Sequence, residues 1–181
     1  MATMDDRFLK RAHRAYELGR ARRSALVALP ALLFVGASAA LGGGSNALLL
    51  GAAMFVVAAA AAQRGGSLGR GVGPGFVYGI LPFATASAAQ GFGHACVGDV
   101  CMSYCLPACA VAGVITGVLV SRSALDRHGG LGAWASASSI VVLAGAMGCR
   151  CIGLGSVLGL AIGLLTATAP MLPALVRESR G

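Results

Sequence analysis

Six apolar stretches divide the chain, and they constrain its fold more than any other feature. They cover residues 25–41, 47–62, 73–90, 102–120, 131–148 and 152–169. A helix that crosses a bilayer needs about 20 mostly apolar residues, so each stretch predicts a transmembrane helix. Charged residues make up only 11% of the chain, whereas soluble domains carry about 25%. The sequence therefore predicts an all-α, polytopic membrane bundle of about six helices and excludes an ordinary soluble protein.

The basic residues predict which side of the membrane each segment faces, because cytoplasmic loops carry an excess of Lys and Arg. Of the 14 such residues, all but Arg150 fall before the first stretch, around 64–70, within 122–130, or after the sixth stretch. We therefore expect an inner-membrane protein with both termini in the cytoplasm. Its predicted parts are a basic helix at 1–23, a six-span domain at 24–170 and a cytoplasmic tail at 171–181. A cleaved signal peptide is not expected, because the charged region before the first stretch is too long.

Residues 5–23 are predicted to form a basic amphipathic helix. Phe8, Ala12 and Tyr16 recur at helical spacing, and Arg11 stands among the basic residues around them. One interpretation is a helix held on anionic lipid, where each basic residue contributes roughly 1 kcal/mol. The other is a docking helix that uses these four residues to bind a cytoplasmic partner. Direct nucleic-acid binding is not expected, because one short helix offers little contact area.

The apolar stretches lack the groups that proton-coupled carriers and many membrane enzymes need. None of the six contains Asp, Glu, Lys or Arg, although proton-coupled transport places ionisable side chains within the spans. No nucleophile elbow, zinc-protease motif or P-loop occurs in the chain. We therefore expect no enzymatic activity.

All six cysteines fall on the predicted outer side of the membrane. They are Cys96, Cys101, Cys105 and Cys109 near the start of the fourth stretch, and Cys149 and Cys151 before the sixth. Together with His94, the thiols other than that of Cys109 could supply soft ligands to a thiophilic metal ion, although no cofactor is certain. Three interpretations stay open: structural disulfides in an oxidising compartment, metal or redox sensing, and packing as small apolar side chains. Packing applies first to Cys109.

Glycines at four-residue spacing predict close helix packing. They are Gly113 and Gly117 in the fourth stretch, and Gly155, Gly159 and Gly163 in the sixth. This spacing lets two helix backbones approach each other within a membrane. Packing inside one bundle is the favoured interpretation, and self-association into a homo-oligomer is the alternative.

The plan of the whole chain resembles that of six-span bacterial transmembrane anti-sigma factors of the NrsF and CarR type. The matching parts are the tail at 1–23, the six-span layout and the outward cysteine pairs Cys96/Cys101 and Cys149/Cys151. The resemblance implies an inner-membrane regulator that holds an extracytoplasmic-function (ECF) sigma factor through its N-terminal segment. Metal or oxidant at the outer thiols would then release the partner. The chain departs from the family in its extra cysteines and its short, strongly basic tail, and no motif assigns the sigma-binding residues.

Two alternatives come from other functional classes. A membrane carrier for a thiophilic metal such as mercury would also place cysteine pairs on the outer side, but it would need ligands toward the cytoplasm. A structural subunit of a larger membrane complex would use its thiols for packing alone. Metal accumulation that depends on Cys96 would distinguish the carrier from the sensor.

Overall fold

The computed structural model describes residues 2–42, 44–91, 94–97, 100–103, 105–148 and 154–179. Side chains are described at residue 9 and within 11–42, 44–89, 107–148 and 157–179. Eight α-helices, one short 3₁₀ helix (Ala169–Met171) and one two-stranded hairpin form the described part of the chain. The helices are α1 (Ala2–Ala28), α2 (Pro30–Ala40), α3 (Ser45–Arg64), α4 (Gly66–Gly91), α5 (Cys105–Asp126), α6 (Gly130–Gly148), α7 (Leu154–Thr168) and α8 (Leu172–Glu178). The hairpin strands are β1 (His94–Val97) and β2 (Val100–Ser103).

The predicted all-α membrane bundle is confirmed. Six helical segments are long and apolar enough to cross a membrane. They are Arg11–Ala40, Ser45–Arg64, Gly66–Ala89, Pro107–Asp126, Gly130–Gly148 and Val157–Glu178. Large apolar side chains such as Leu33, Leu49 and Ile162 are exposed on the outside of the bundle, where only lipid would cover them. The chain is a multi-pass helical membrane protein.

The N-terminal helix and the first span form one nearly continuous rod. α1 runs through the boundary predicted at residues 23 and 24, and α2 follows after Leu29 alone. Pro30 stands in the first turn of α2, where its missing N–H is tolerated but its ring prevents α1 from continuing through it. The boundary predicted between the basic helix and the first span is therefore not a break in the chain's helix. It is the point within α1 where side chains begin to be buried.

Two predicted connections are shorter than expected because most of their residues are helical, and the predicted C-terminal tail contains a helix too. The glycine-rich segment at 64–70 belongs to α3 and α4 except for Gly65, whose φ of 65° breaks the helix. The segment at 122–130 is helical to Asp126, and a tight turn at His128 precedes α6. The tail at 171–181 contains α8, which buries Leu175 against Ala124 and Ala133.

The start of the fourth span differs from the prediction. Residues 102 and 103 lie in β2, and the helix begins at Cys105, three residues later than expected. Pro107 falls within the first turn of α5, which is the position that a helix tolerates best.

The core is built from close helix pairs, chiefly α4 against α6 and α5 against α7. Small residues permit these contacts: a Cβ added at Gly75 would lie 3.0 Å from the Cα of Ala137. Met54, Val72 and Ile140 are fully buried among α3, α4 and α6. Some buried hydroxyls bond across the bundle, as Ser121 Oγ of α5 donates to Thr168 Oγ1 of α7 at 3.2 Å.

Candidate functional site

One end of the bundle collects basic side chains and the contacts that hold them. The Arg20 guanidinium donates to the backbone carbonyl of Gln63 in the last turn of α3. Arg70 donates to the carbonyl of His128 at 2.7 Å. His128 Nδ1 in turn lies 2.5 Å from Glu178 Oε1 on α8. These contacts tie α1 to α3, and α4 to the α5–α6 turn and α8, because Arg donors match the free carbonyls of helix ends.

The N-terminal part of α1 extends from this basic end as an exposed helix. Every described side chain from residue 9 to residue 23 is exposed, and Ser24 is the first buried one. Tyr16 is 67% exposed, and Leu9 and Leu18 are exposed to a similar extent. The described part of the chain therefore leaves these apolar side chains uncovered.

The structure describes the side chains of three of the four predicted docking residues. Arg11, Ala12 and Tyr16 are exposed, whereas the side chain of Phe8 lies outside the described residues. At about 100° per residue, Tyr16 and Ala12 share one face, and Leu18 stands on the opposite face. His13 and Glu17 form an exposed i,i+4 pair at 3.1 Å between these faces. Ala12 and Tyr16 are thus available together to a partner, whereas Arg11 stands on the side of Leu18.

The opposite end of the bundle carries the cysteines. β1 and β2 pair antiparallel with Cys96 opposite Cys101 and His94 opposite Ser103. Opposite residues in such a pair have Cα atoms about 4.5–5.5 Å apart, within the range of about 4.4–6.8 Å that a disulfide spans. The hairpin thus joins two of the predicted site residues by backbone register alone, and Cys105 begins α5 two residues after β2 ends.

Of the remaining cysteines, one is buried in the bundle and two lie outside the described residues. Cys109 is 4% exposed and packs with Ala86, Ala112 and Leu160, as the packing interpretation predicts. Cys149 and Cys151 lie outside the described residues, between the end of α6 and the start of α7. Among the described side chains, no three metal-binding groups come together, and those of His94, Cys96, Cys101 and Cys105 are not among them.

The predicted glycine faces meet between α5 and α7. A Cβ at Gly117 would lie 2.8 Å from the Leu164 carbonyl oxygen. Gly113 lies against the Leu160 backbone and Gly163 against the Ala110 carbonyl. Gly159 is buried, and Gly155 falls in α7 before its first described side chain. The glycines of α5 and α7 therefore pack the two helices against each other within one bundle.

Sequence analysis missed an apolar groove between the first and third spans. Its volume is about 560 Å³, and its walls come from the end of α1, from α2 and from α4. Phe34 stands at its floor, with its ring 6.3 Å from that of Phe76 and 5.4 Å from that of Phe83, measured between centroids. The spacing of aromatic residues gave no sign of the groove, because it depends on the distance between two helices that are not neighbours in sequence.

Comparison with known proteins adds no relative: no family model, curated protein or solved structure matches this chain.

Proposed function

We propose that the chain is a membrane regulatory protein, specifically an anti-sigma factor of the inner membrane. Its α1 helix holds a cytoplasmic ECF sigma factor, and the cysteine end of the bundle responds to a soft metal ion or an oxidant. The observation that carries the proposal is the exposed helix at residues 9–23, which leaves the bundle at its basic end. Apolar anchors on such a helix fit a groove on a partner.

The coupling between the two ends rests on helix contacts. The hairpin joins α4 to α5, and the glycine faces pack α5 against α7. A disulfide or a metal ion at Cys96 and Cys101 could displace α4 relative to α5. The displacement would be transmitted along the two helices to the basic end, where Arg70 of α4 binds the turn after α5. The signal can shift this equilibrium only by its difference in affinity for the two arrangements.

The test is binding of the full chain to an ECF sigma factor that is co-expressed with it. Tyr16→Ala should weaken binding about tenfold or more, because exposed Tyr anchors carry much of the energy of an interface. Leu18→Ala is the matched control, since Leu18 is equally exposed on the opposite face of the same helix. Deletion of residues 2–23 should abolish binding.

Other outcomes would replace the proposal. Retention of the sigma factor after the deletion would remove the docking role of α1. Accumulation of mercury in cells that express the chain, lost in Cys96→Ser, would indicate the carrier instead. Failure to bind any sigma factor, together with replacement of all six cysteines at no loss beyond stability, would leave the structural subunit.

A further inference from the structure

The apolar groove between the first and third spans is open toward the lipid side of the bundle. Leu33 on α2 and Ile80 on α4 form its rims, and both are largely exposed, Leu33 to 75%. Every residue that lines the groove is apolar or glycine. Water gains no hydrogen-bond partners in such a site, so the occupant must be apolar along the length of the groove.

The groove has a charged mouth at the basic end of the bundle. Arg23 stands one turn before Val27, the lining residue closest to it on α1, and Arg70 stands one turn before Gly73 on α4. Residues three or four apart share a helix face, so each arginine continues one wall of the groove. Both side chains are exposed.

Arg23 lies one turn after Arg20 on α1, and Arg70 lies in the second turn of α4. Arg20 binds the end of α3 at Gln63, and α4 begins three residues later at Gly66. Arg70 uses one nitrogen, Nη1, for the carbonyls of the α5–α6 turn. A guanidinium has five N–H donors, so Arg70 keeps others for an anion.

We propose that this groove binds an anionic phospholipid of the surrounding bilayer. One acyl chain lies in the groove, and the phosphate headgroup is held at the mouth by Arg23 and Arg70. Basic pockets between membrane helices are known to suit anionic headgroups, and Arg matches phosphate geometry. The inference does not depend on the sigma-factor proposal, and the groove lies on a different surface from the docking face of Ala12 and Tyr16.

Quenching by lipids with brominated acyl chains tests the site in the full chain reconstituted in vesicles. Leu33→Trp places a reporter on the exposed rim, and the wild type supplies the baseline of Trp134, its single tryptophan. Brominated phosphatidylglycerol, present as a minor component, should quench the reporter more strongly than brominated phosphatidylcholine at the same fraction. In Arg23→Gln this selectivity should fall about fivefold, which corresponds to ~1 kcal/mol per basic residue.

Two pairs of variants, each with its own control, separate the contribution of the headgroup contact from that of the groove. Arg22→Gln removes an equal charge about 100° around α1 from Arg23 and should leave the selectivity unchanged. Gly73→Leu fills the groove without a clash, because a Cβ there meets no atom within 4 Å, and should abolish selective quenching. Gly36→Leu adds the same side chain at an equally open position outside the lining and should retain it.

Three results would overturn the proposal. Equal quenching by the two lipids would mean that the groove holds only bulk acyl chains. Selectivity that survives both Arg23→Gln and Gly73→Leu would place the anionic lipid elsewhere. Weak quenching by both lipids, with cross-links between copies through position 33, would show that a second copy of the chain covers the groove.

Discussion

Cys96 on β1 lies directly opposite Cys101 on β2 in the antiparallel register of the hairpin. The Cα separation usual for opposite residues lies within the range that a disulfide spans, so the register brings these two residues close enough to bond. The same closeness suits two thiolates to one soft metal ion. Among the cysteines whose backbone the structure describes, these two are the ones that the strand register places opposite each other.

The first prediction is that mild oxidation closes the Cys96–Cys101 bond. Cys96→Ser and Cys101→Ser should each free one further thiol for maleimide labelling, because each leaves the opposite cysteine without its partner. Mass spectrometry of the labelled full chain, with and without reductant, gives the number of labelled thiols. Cys105→Ser is the control and should leave the bond intact. Release of Cys96 or Cys101 by that control would mean that the hairpin thiols pair outside the hairpin.

The second prediction concerns Arg20, whose guanidinium binds the Gln63 carbonyl at the end of α3. Exposed charge interactions contribute little, so Arg20→Gln should change the free energy of unfolding by less than about 1 kcal/mol. It should nevertheless speed amide hydrogen exchange around residues 20–24, because this bond holds the base of the exposed helix. Arg22→Gln is the control on the neighbouring position. Equal exchange in the two variants would show that packing alone holds α1 against α3.

The third prediction compares two buried serines on α6. Ser136 Oγ donates to the Leu68 carbonyl of α4 at 2.7 Å, whereas Ser138 Oγ has no hydrogen-bond partner among the described residues. Ser136→Ala should therefore cost about 0.5–1.5 kcal/mol. Ser138→Ala should be neutral or stabilising, because it removes an unpaired buried hydroxyl. Unfolding in mixed micelles measures both, and a larger loss in Ser138→Ala would contradict the assignment of the two hydroxyls.

Hydropathy was sufficient to predict the six spans but not where their helices end. The glycines around residues 66–71 suggested a loop, yet Gly71 must be small because a Cβ there would meet the Ala133 backbone of α6. Tertiary packing thus outweighs the low helix propensity of glycine. The break falls at Gly65, where the backbone takes a positive φ that glycine adopts at low cost.

The hairpin carried a sequence signal that the apolar stretches concealed. Gly98-Asp99 between two short segments rich in valine and cysteine is a dipeptide typical of a two-residue hairpin connection. Its recognition would have placed Cys96 opposite Cys101 from the sequence alone. The lipid groove had no such signal, because Phe34 and Phe76 meet only through the packing of α2 and α4 on the rest of the bundle.

The last prediction tests whether the glycine rows hold α5 against α7. A Cβ at Gly117 would lie 2.8 Å from the Leu164 carbonyl oxygen and 2.9 Å from the Ala167 Cβ. Backbone cannot yield as a flexible side chain would, so Gly117→Ala should force the helices apart at a cost of about 1–3 kcal/mol.

Gly36→Ala is the matched control, because it adds the same methyl group inside a helix where a Cβ meets no atom within 4 Å. It should be neutral or slightly stabilising, since alanine favours helix over glycine by up to about 1 kcal/mol. Equal stability of the two variants in mixed micelles would show that α5 and α7 do not pack this closely in the membrane. A change in oligomeric state with unchanged monomer stability would instead assign the Gly117 row to self-association.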